Sequence, residues 1–181
     1  MNITTIDFET HAIESGAAKS PVPVGVAVQY DGEEGQYYAW AHPTNNNCSF
    51  EDAAKVLTSV WEKSPKILCH NAKFDIRVAM EHFGLKYPHG RVHDTMFYAF
   101  LNDPRERSLG LKDLADKYLD MPPDEQEEMR DWLVEHVKGA TKKNFGKYIA
   151  LAPGDLVGRY AVGDVERTYK LFQYFSKGGA A

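Results

Sequence analysis

Residues 22–30 place Val22, Val24, Val26, Val28 and Tyr30 at every second position. Side chains alternate across a pleated strand, so this period commits the stretch to a β-strand with one apolar face. The turn pair Asp31-Gly32 follows, and residues 36–42 read as a second strand of a hairpin or meander. Upstream, residues 2–9 are rich in Ile and Thr around Phe8 and read as another strand. Any fold for this chain must therefore begin with antiparallel pairing.

The period then changes. Residues 50–63 put Ala53, Ala54, Leu57 and Trp61 along one helical side, and Ser64-Pro65 stops that helix. Ile67 to Cys69 is a short buried strand, followed by a helix from about Lys73 to Phe83 that ends at Gly84. Val92 centres a further short strand before a helix at 95–101. Leu111, Leu114, Ala115 and Tyr118 fall at helical spacing, and a last helix runs from about Gly154 to Ser176. Three antiparallel strands followed by alternating helices and strands predict an α/β domain with a mixed sheet flanked by helices. One domain over 1–177 is expected, with 178–181 (Gly-Gly-Ala-Ala) as a tail or linker remnant.

Charge and cysteines exclude several classes. The net charge of −5 argues against a module that grips long duplexes by their phosphates. No apolar run is long enough for a membrane span, and the N-terminus reads as a strand, not a signal peptide. Cys48 and Cys69 make neither a disulfide framework nor a zinc site, and Cys69 reads as a core residue. A cytoplasmic setting follows. Residues 120–135 are strongly acidic, whereas 138–147 carry Lys138, Lys142, Lys143 and Lys147.

The carboxylates are the chemical signal. Asp7 and Glu9 lie two apart in a strand, so both leave the same face. Together on a buried face they would repel each other, which a divalent cation between them would relieve. The pair alone equally fits a strand end in water. Asp164 falls on the apolar stripe of the last helix, with Val157, Tyr160 and Ala161, and a carboxylate there needs a partner. Arg159 and Arg167 are read as lying off that face, while Tyr160 is one turn away. Asp75 opens its helix, where the helix dipole alone would favour an acid. Asn71 just before it either caps that helix or bonds a substrate.

Three segments then combine. Asp7-Phe8-Glu9-Thr10, His70-Asn71-Ala72-Lys73-Phe74-Asp75 and Tyr160-Ala161-Val162-Gly163-Asp164 resemble the three exonuclease motifs of the DEDD superfamily, in its tyrosine-bearing branch. His93-Asp94-Thr95-Met96 and Ser108-Leu109-Gly110-Leu111-Lys112-Asp113-Leu114-Ala115 resemble the proofreading domains of bacterial and phage family A DNA polymerases. The resemblance covers nearly the whole chain. It implies a ribonuclease H-like fold with a five-stranded mixed sheet. It also implies two Mg²⁺ or Mn²⁺ ions and release of nucleoside 5′-monophosphates from a 3′ end. It carries over Asp7, Glu9, Asp75 and Asp164 as metal ligands and Tyr160 as the residue orienting the attacking water. Thr10 and Asn71 match positions that touch the terminal nucleotide, and Asp94 is read as capping the helix that starts there.

The expected partner is a single-stranded DNA 3′ end, engaged by a monomer, with a DNA polymerase attached or associated, in the cytoplasm (the host's, for a phage-encoded chain). Two alternatives stand beside this reading. One is an RNA 3′-exonuclease resembling ribonuclease D; the other is a silent domain that only positions DNA. Phe8, Phe74 and His11 are either base-stacking groups or ordinary core and surface residues. The lysines of 138–147 either steer phosphates or balance the acidic helix before them.

Overall fold

A computed structural model describes residues 2–178. Its elements are β1 (Ile3–Thr10), β2 (Pro23–Tyr30), β3 (Gln36–Ala39), α1 (Phe50–Lys63), β4 (Lys66–Cys69), α2 (Ala72–Phe83), β5 (Val92–Asp94), α3 (Thr95–Asn102), α4 (Leu111–Leu119), α5 (Asp124–His136) and α6 (Gly154–Ser176). A 3₁₀ segment, Phe145–Leu151, precedes α6. The strands form one five-stranded sheet in the order β3-β2-β1-β4-β5. β1–β2 and β2–β3 are antiparallel, whereas β1–β4 and β4–β5 are parallel. This is the expected α/β mixed sheet, and β1 is its central strand. Of the expected 178–181 tail, residues 179–181 lie outside the described residues.

Each face of the sheet buries a helical layer. Ile6, Phe8, Val26 and Val28 pack against Leu57, Val60 and Trp61 of α1 and Ile76 and Ala79 of α2. Ala27, Tyr37 and Ala39 face Met129 and Leu133 of α5 and Val157, Ala161 and Val165 of α6. Ile3 of β1 joins Leu68 of β4 and Phe172 of α6. Odd-numbered positions of β1 therefore face α6 and even-numbered ones face α1 and α2. That register points Asp7 and Glu9 towards α6.

The expected strand 36–42 is shorter. It ends at Ala39, because the Trp40 and Ala41 amides both turn onto the Val24 carbonyl. The outer edge of β3 is closed by Asn47, whose side chain accepts from Ala39 N and donates to Tyr37 O. An edge strand with its backbone groups occupied is protected from pairing with other chains. Helix ends follow local chemistry. Ser49 and Asp52 form a reciprocal capping box on α1, and Gly84 closes α2 at φ 65°. Among the described residues, no helix is long and apolar enough to cross a membrane. Cys69 is fully buried in the core, and both cysteines are free thiols.

Candidate active site

β1 pairs with β4 only over Ile3–Thr5. Beyond that point β4 ends at Cys69 and turns through His70 and Asn71 into α2. The last part of β1 thus projects at the carboxyl end of the two parallel strands, where α/β folds place their sites. The Phe8 amide, which β4 no longer reaches, donates to Asp75 Oδ1 at 2.8 Å. Asp75 is therefore more than a helix-terminal acid: it is 2% exposed and locks α2 to the central strand.

Asp7 and Glu9 meet Asp164 across the β1–α6 interface. One carboxylate oxygen from each of the three lies within 4.8 Å of the others. Asp75 stands outside that triple, next to Asp7. The negative charge is concentrated and largely buried: Glu9 and Asp164 are buried and Asp7 is half-buried. Burial, and then the charge of Asp164, push the Asp7 carboxyl up to about 7. Burial and the charges of Asp7 and Asp164 hold Glu9 well above the ordinary carboxylate range. Asp75 is raised likewise by burial and by Asp7. Room beside Glu9 comes from Gly25, its partner on β2. A Cβ there would lie 2.0 Å from the Tyr37 hydroxyl. That hydroxyl bonds His42 Nε2 at 2.8 Å, and His42 Nδ1 donates to the Ala152 carbonyl at 2.9 Å. With Nδ1 carrying the proton, Tyr37 is the donor to Nε2.

Two cations flank Asp164. Lys112, at the start of α4, donates to Asp164 Oδ2 at 2.5 Å and to the Tyr160 hydroxyl at 3.0 Å. Its ammonium also lies 4.3 Å from the Tyr160 ring centroid. Arg167, buried at 2% exposure, brings Nη1 within 3.9 Å of Asp164 Oδ1. This corrects the expectation that Arg167 lies off the Asp164 face. Positions i and i+3 are adjacent on a helix surface, and Gly163 leaves space for the guanidinium, whose Nη1 a Cβ there would meet at 2.8 Å. Arg167 is held chiefly from the start of α5 and the loop before it, donating to Glu125 at 2.8 Å and to the Pro122 carbonyl at 2.6 Å. Arg159 points away and pairs with Glu128.

Nothing in the sequence period marks Lys112 as a site residue. The segment Ser108 to Ala115 carries part of the resemblance, but its helical spacing accounts only for its apolar residues. His70 helps to place it. Its Nε2 donates to the Leu109 carbonyl at 2.8 Å, and Nδ1 meets the Thr95 hydroxyl at 2.7 Å. That fastens the end of β4 to the loop that opens α4.

Asn71 adopts a left-handed conformation (φ 65°) and its side chain caps nothing. The capping role passes to Asp94, whose carboxylate takes the Asn71 and Ala72 amides of α2 and the Met96 amide of α3, each at 2.9 Å. Asp94 caps two helices where one was expected. Thr10 and Glu9 line a cleft of about 380 Å³ with His11, Phe74 and Lys147. Asn71, His11 and Phe74 also line an adjoining cleft of about 640 Å³. Phe8 is a core residue at 4% exposure, packed on Phe83.

The donors fit a divalent cation. All are hard carboxylate oxygens, as Mg²⁺ and Mn²⁺ prefer. Asp164 Oδ1 is buried without a hydrogen-bond partner, and the raised carboxyls of Asp7 and Glu9 show a charge that the protein compensates only in part.

A sequence model of the 3′–5′ exonuclease family matches residues 3–179. The chain belongs to the 3′–5′ exonuclease family. As a member it is a hydrolytic exonuclease domain acting on nucleic acid. It is 29% identical over 157 residues to a DNA polymerase of Escherichia phage T5, an alignment covering 84% of this chain and 18% of the polymerase. The exonuclease chain thus spans under a fifth of that relative. Its fold matches NrnC of Brucella melitensis with bound Mg²⁺ (TM-score 0.61, 17% identity, 97% of this chain and 72% of that one). It also matches Escherichia coli RNase D (TM-score 0.56, 20% identity, 97% and 40%). These likenesses support the ribonuclease H-like architecture of the exonuclease.

Proposed function

We propose that this exonuclease removes nucleoside 5′-monophosphates from the 3′ end of single-stranded DNA, in the manner of a proofreading domain. The observation that carries the reading is the convergence of Asp7, Glu9 and Asp164 within 4.8 Å, with the Tyr160 hydroxyl joined to Asp164 through Lys112. The kinship with a phage DNA polymerase favours DNA as the substrate.

Asp7, Glu9, Asp75 and Asp164 would hold two divalent cations, Mg²⁺ or Mn²⁺, which when bound activate a water and stabilise the departing 3′ oxygen. The remaining work falls to the chain's own groups. Tyr160 is held far above its ordinary pKa by burial and by the charges of Asp164, Glu9 and Asp7. It stays protonated at neutral pH, so it orients water as a donor and does not act as a base. Its oxygen accepts from Lys112 and its proton is shared with the Asp164 carboxylate; in the proposed complex that proton turns to a substrate or water oxygen. Thr10 and Asn71 border the adjoining clefts and would bond the terminal nucleotide. The buried wall formed by Tyr37, His42 and Gly25 keeps bulk water from behind Glu9.

The test uses 5′-labelled single-stranded DNA, 3′-recessed duplex and a matched RNA oligomer, each with Mg²⁺, Mn²⁺ or chelator. A ladder shortening from the 3′ end of the DNA, only with metal, is expected. Faster shortening of the RNA oligomer would reassign the substrate to RNA. No shortening of either would overturn the reading.

A further inference from the structure

The segment 138–147 carries four lysines and no acidic residue in a chain of net charge −5. Lys138, Lys142, Lys143 and Lys147 are all exposed. Among the described residues, none of the four enters an ion pair. Among the described residues no ion pair joins them to the acidic helix α5, whose Glu125 and Glu128 are engaged instead by Arg167 and Arg159 of α6.

The loop is also built, not slack. Asn144 Oδ1 accepts from the Thr141 amide at 2.6 Å and its Nδ2 donates to the Gly139 carbonyl at 3.1 Å. Thr141 Oγ1 accepts from the Lys143 and Asn144 amides at 3.3 Å. Gly139 supplies the left-handed turn at φ 91° that this closure needs. The loop then runs into the 3₁₀ segment, whose Gly146 and Lys147 edge the same cleft as Glu9 and Thr10. One end of the basic tract thus stands at the rim of the carboxylate cluster.

We propose that the loop 138–147 is the track for the phosphodiester backbone upstream of the scissile linkage, with Lys138, Lys142 and Lys143 each facing a phosphate. This rests on the single-strand exonuclease reading above and says which way the strand leaves the site. An otherwise acidic enzyme then gains grip on single strands without affinity for duplex in general. Each lost phosphate contact on a single strand lowers the dependence of log affinity on log salt by about 0.7, so removal of three lysines should flatten it by about 2.

The experiment compares the protein with its Lys138→Ala/Lys142→Ala/Lys143→Ala variant. Binding of a fluorescent oligothymidylate is followed by anisotropy in chelator across a salt series. Turnover with Mn²⁺ is followed on the oligomer and on thymidine 5′-monophosphate p-nitrophenyl ester, which has no upstream phosphate. Expected are binding weakened by an order of magnitude or more at low salt, a salt slope flatter by about 2, and unchanged ester hydrolysis. An unchanged binding slope overturns the track, as does a flattening produced only by Lys19→Ala/Lys73→Ala on the adjoining cleft. Loop-dependent binding without metal-dependent turnover in the unaltered protein would instead sink the exonuclease reading and leave the loop as a strand-binding surface.

Discussion

The Lys112 ammonium lies 2.5 Å from Asp164 Oδ2, so a cation from α4 stands inside the carboxylate cluster of β1 and α6, 52 positions away in sequence. It lowers the energy of a site whose other charges repel. It also holds the Tyr160 hydroxyl at 3.0 Å, which ties the orienting tyrosine to the same ion pair.

Lys112→Met should therefore act on stability and on metal dependence together. Breaking a fully buried pair by removing one partner costs about 3–5 kcal/mol. Lys112 keeps 20% of its side chain exposed, so about 1–2 kcal/mol is expected in chelator. Saturating Mn²⁺ should restore most of that loss, because a ligand bound only by the folded state stabilises it. Chemical denaturation with and without metal reads both quantities. A loss of equal size in both conditions would mean that Lys112 is merely structural.

Asp164→Asn should remove a negative charge from the triple while keeping the volume of the side chain. Turnover is expected to fall by roughly 10²–10³-fold or more, with the circular dichroism spectrum unchanged. Tyr160→Phe should cost less, about ten- to a hundredfold in kcat with little change in KM, because it loses one oriented donor and no charge. Equal losses in the two variants would show that Tyr160 does more than orient. Wild-type rates in Asp164→Asn would remove Asp164 from the site.

The raised carboxyls predict a pH signature. Asp7 titrates near 7, against 3.8 for the free side chain, because of burial first and Asp164 second. Between those values the folded protein binds the extra proton, so this group's contribution to stability falls as pH rises through about 7. Glu9 and Asp75 shift in the same direction. His42 and His70, lowered chiefly by burial, work oppositely: they bind fewer protons when folded, so their contribution rises with pH. The difference between Mn²⁺-saturated and chelated protein isolates the carboxyls. That increment in melting temperature should grow from pH 5.5 to pH 8, and metal binding near pH 6 should release protons, measurable by calorimetry in buffers of different ionisation enthalpy. A pH-independent increment would mean that metal binds without displacing protons from these groups.

Legibility in the sequence followed the range of the cause. Asp7 and Glu9 could be placed on one face because strand period is local, and Asp164 because its helical stripe is local. Their meeting could not be derived from period alone, since it depends on which face of the sheet α6 covers; the resemblance of the three motifs supplied it. Asp75 cannot be told from a dipole-favoured acid by local reasoning; the resemblance assigns it to the site, and the structure shows it accepting the Phe8 amide. Lys112 has no periodic signature, because an exposed helical lysine and one reaching across to Asp164 read the same. Arg167 is legible in principle, since i and i+3 are neighbours on a helix surface and its spacing from Asp164 does not take it off that face. The 3₁₀ segment Phe145–Leu151 is too short to carry a period that marks it in the sequence.

Asp94 offers the sharpest contrast between a local reading and the structure. As an N-cap of α3 alone, its loss to Ala would cost about 0.5–2 kcal/mol. Its carboxylate, however, also takes the Asn71 and Ala72 amides at the start of α2, the helix that carries Asp75. Asp94→Ala should therefore cost roughly 1–4 kcal/mol, the sum for two helix starts. Asp94→Asn should fall between, because its amide keeps one accepting oxygen and turns its NH₂ towards a backbone donor. Hydrogen exchange should show faster amides at Ala72 as well as at Met96. Turnover should fall too, since a shifted α2 displaces Asp75 from Phe8. Faster exchange confined to α3 would show that the two helices are capped independently, and Asp94 would then have no path to the site.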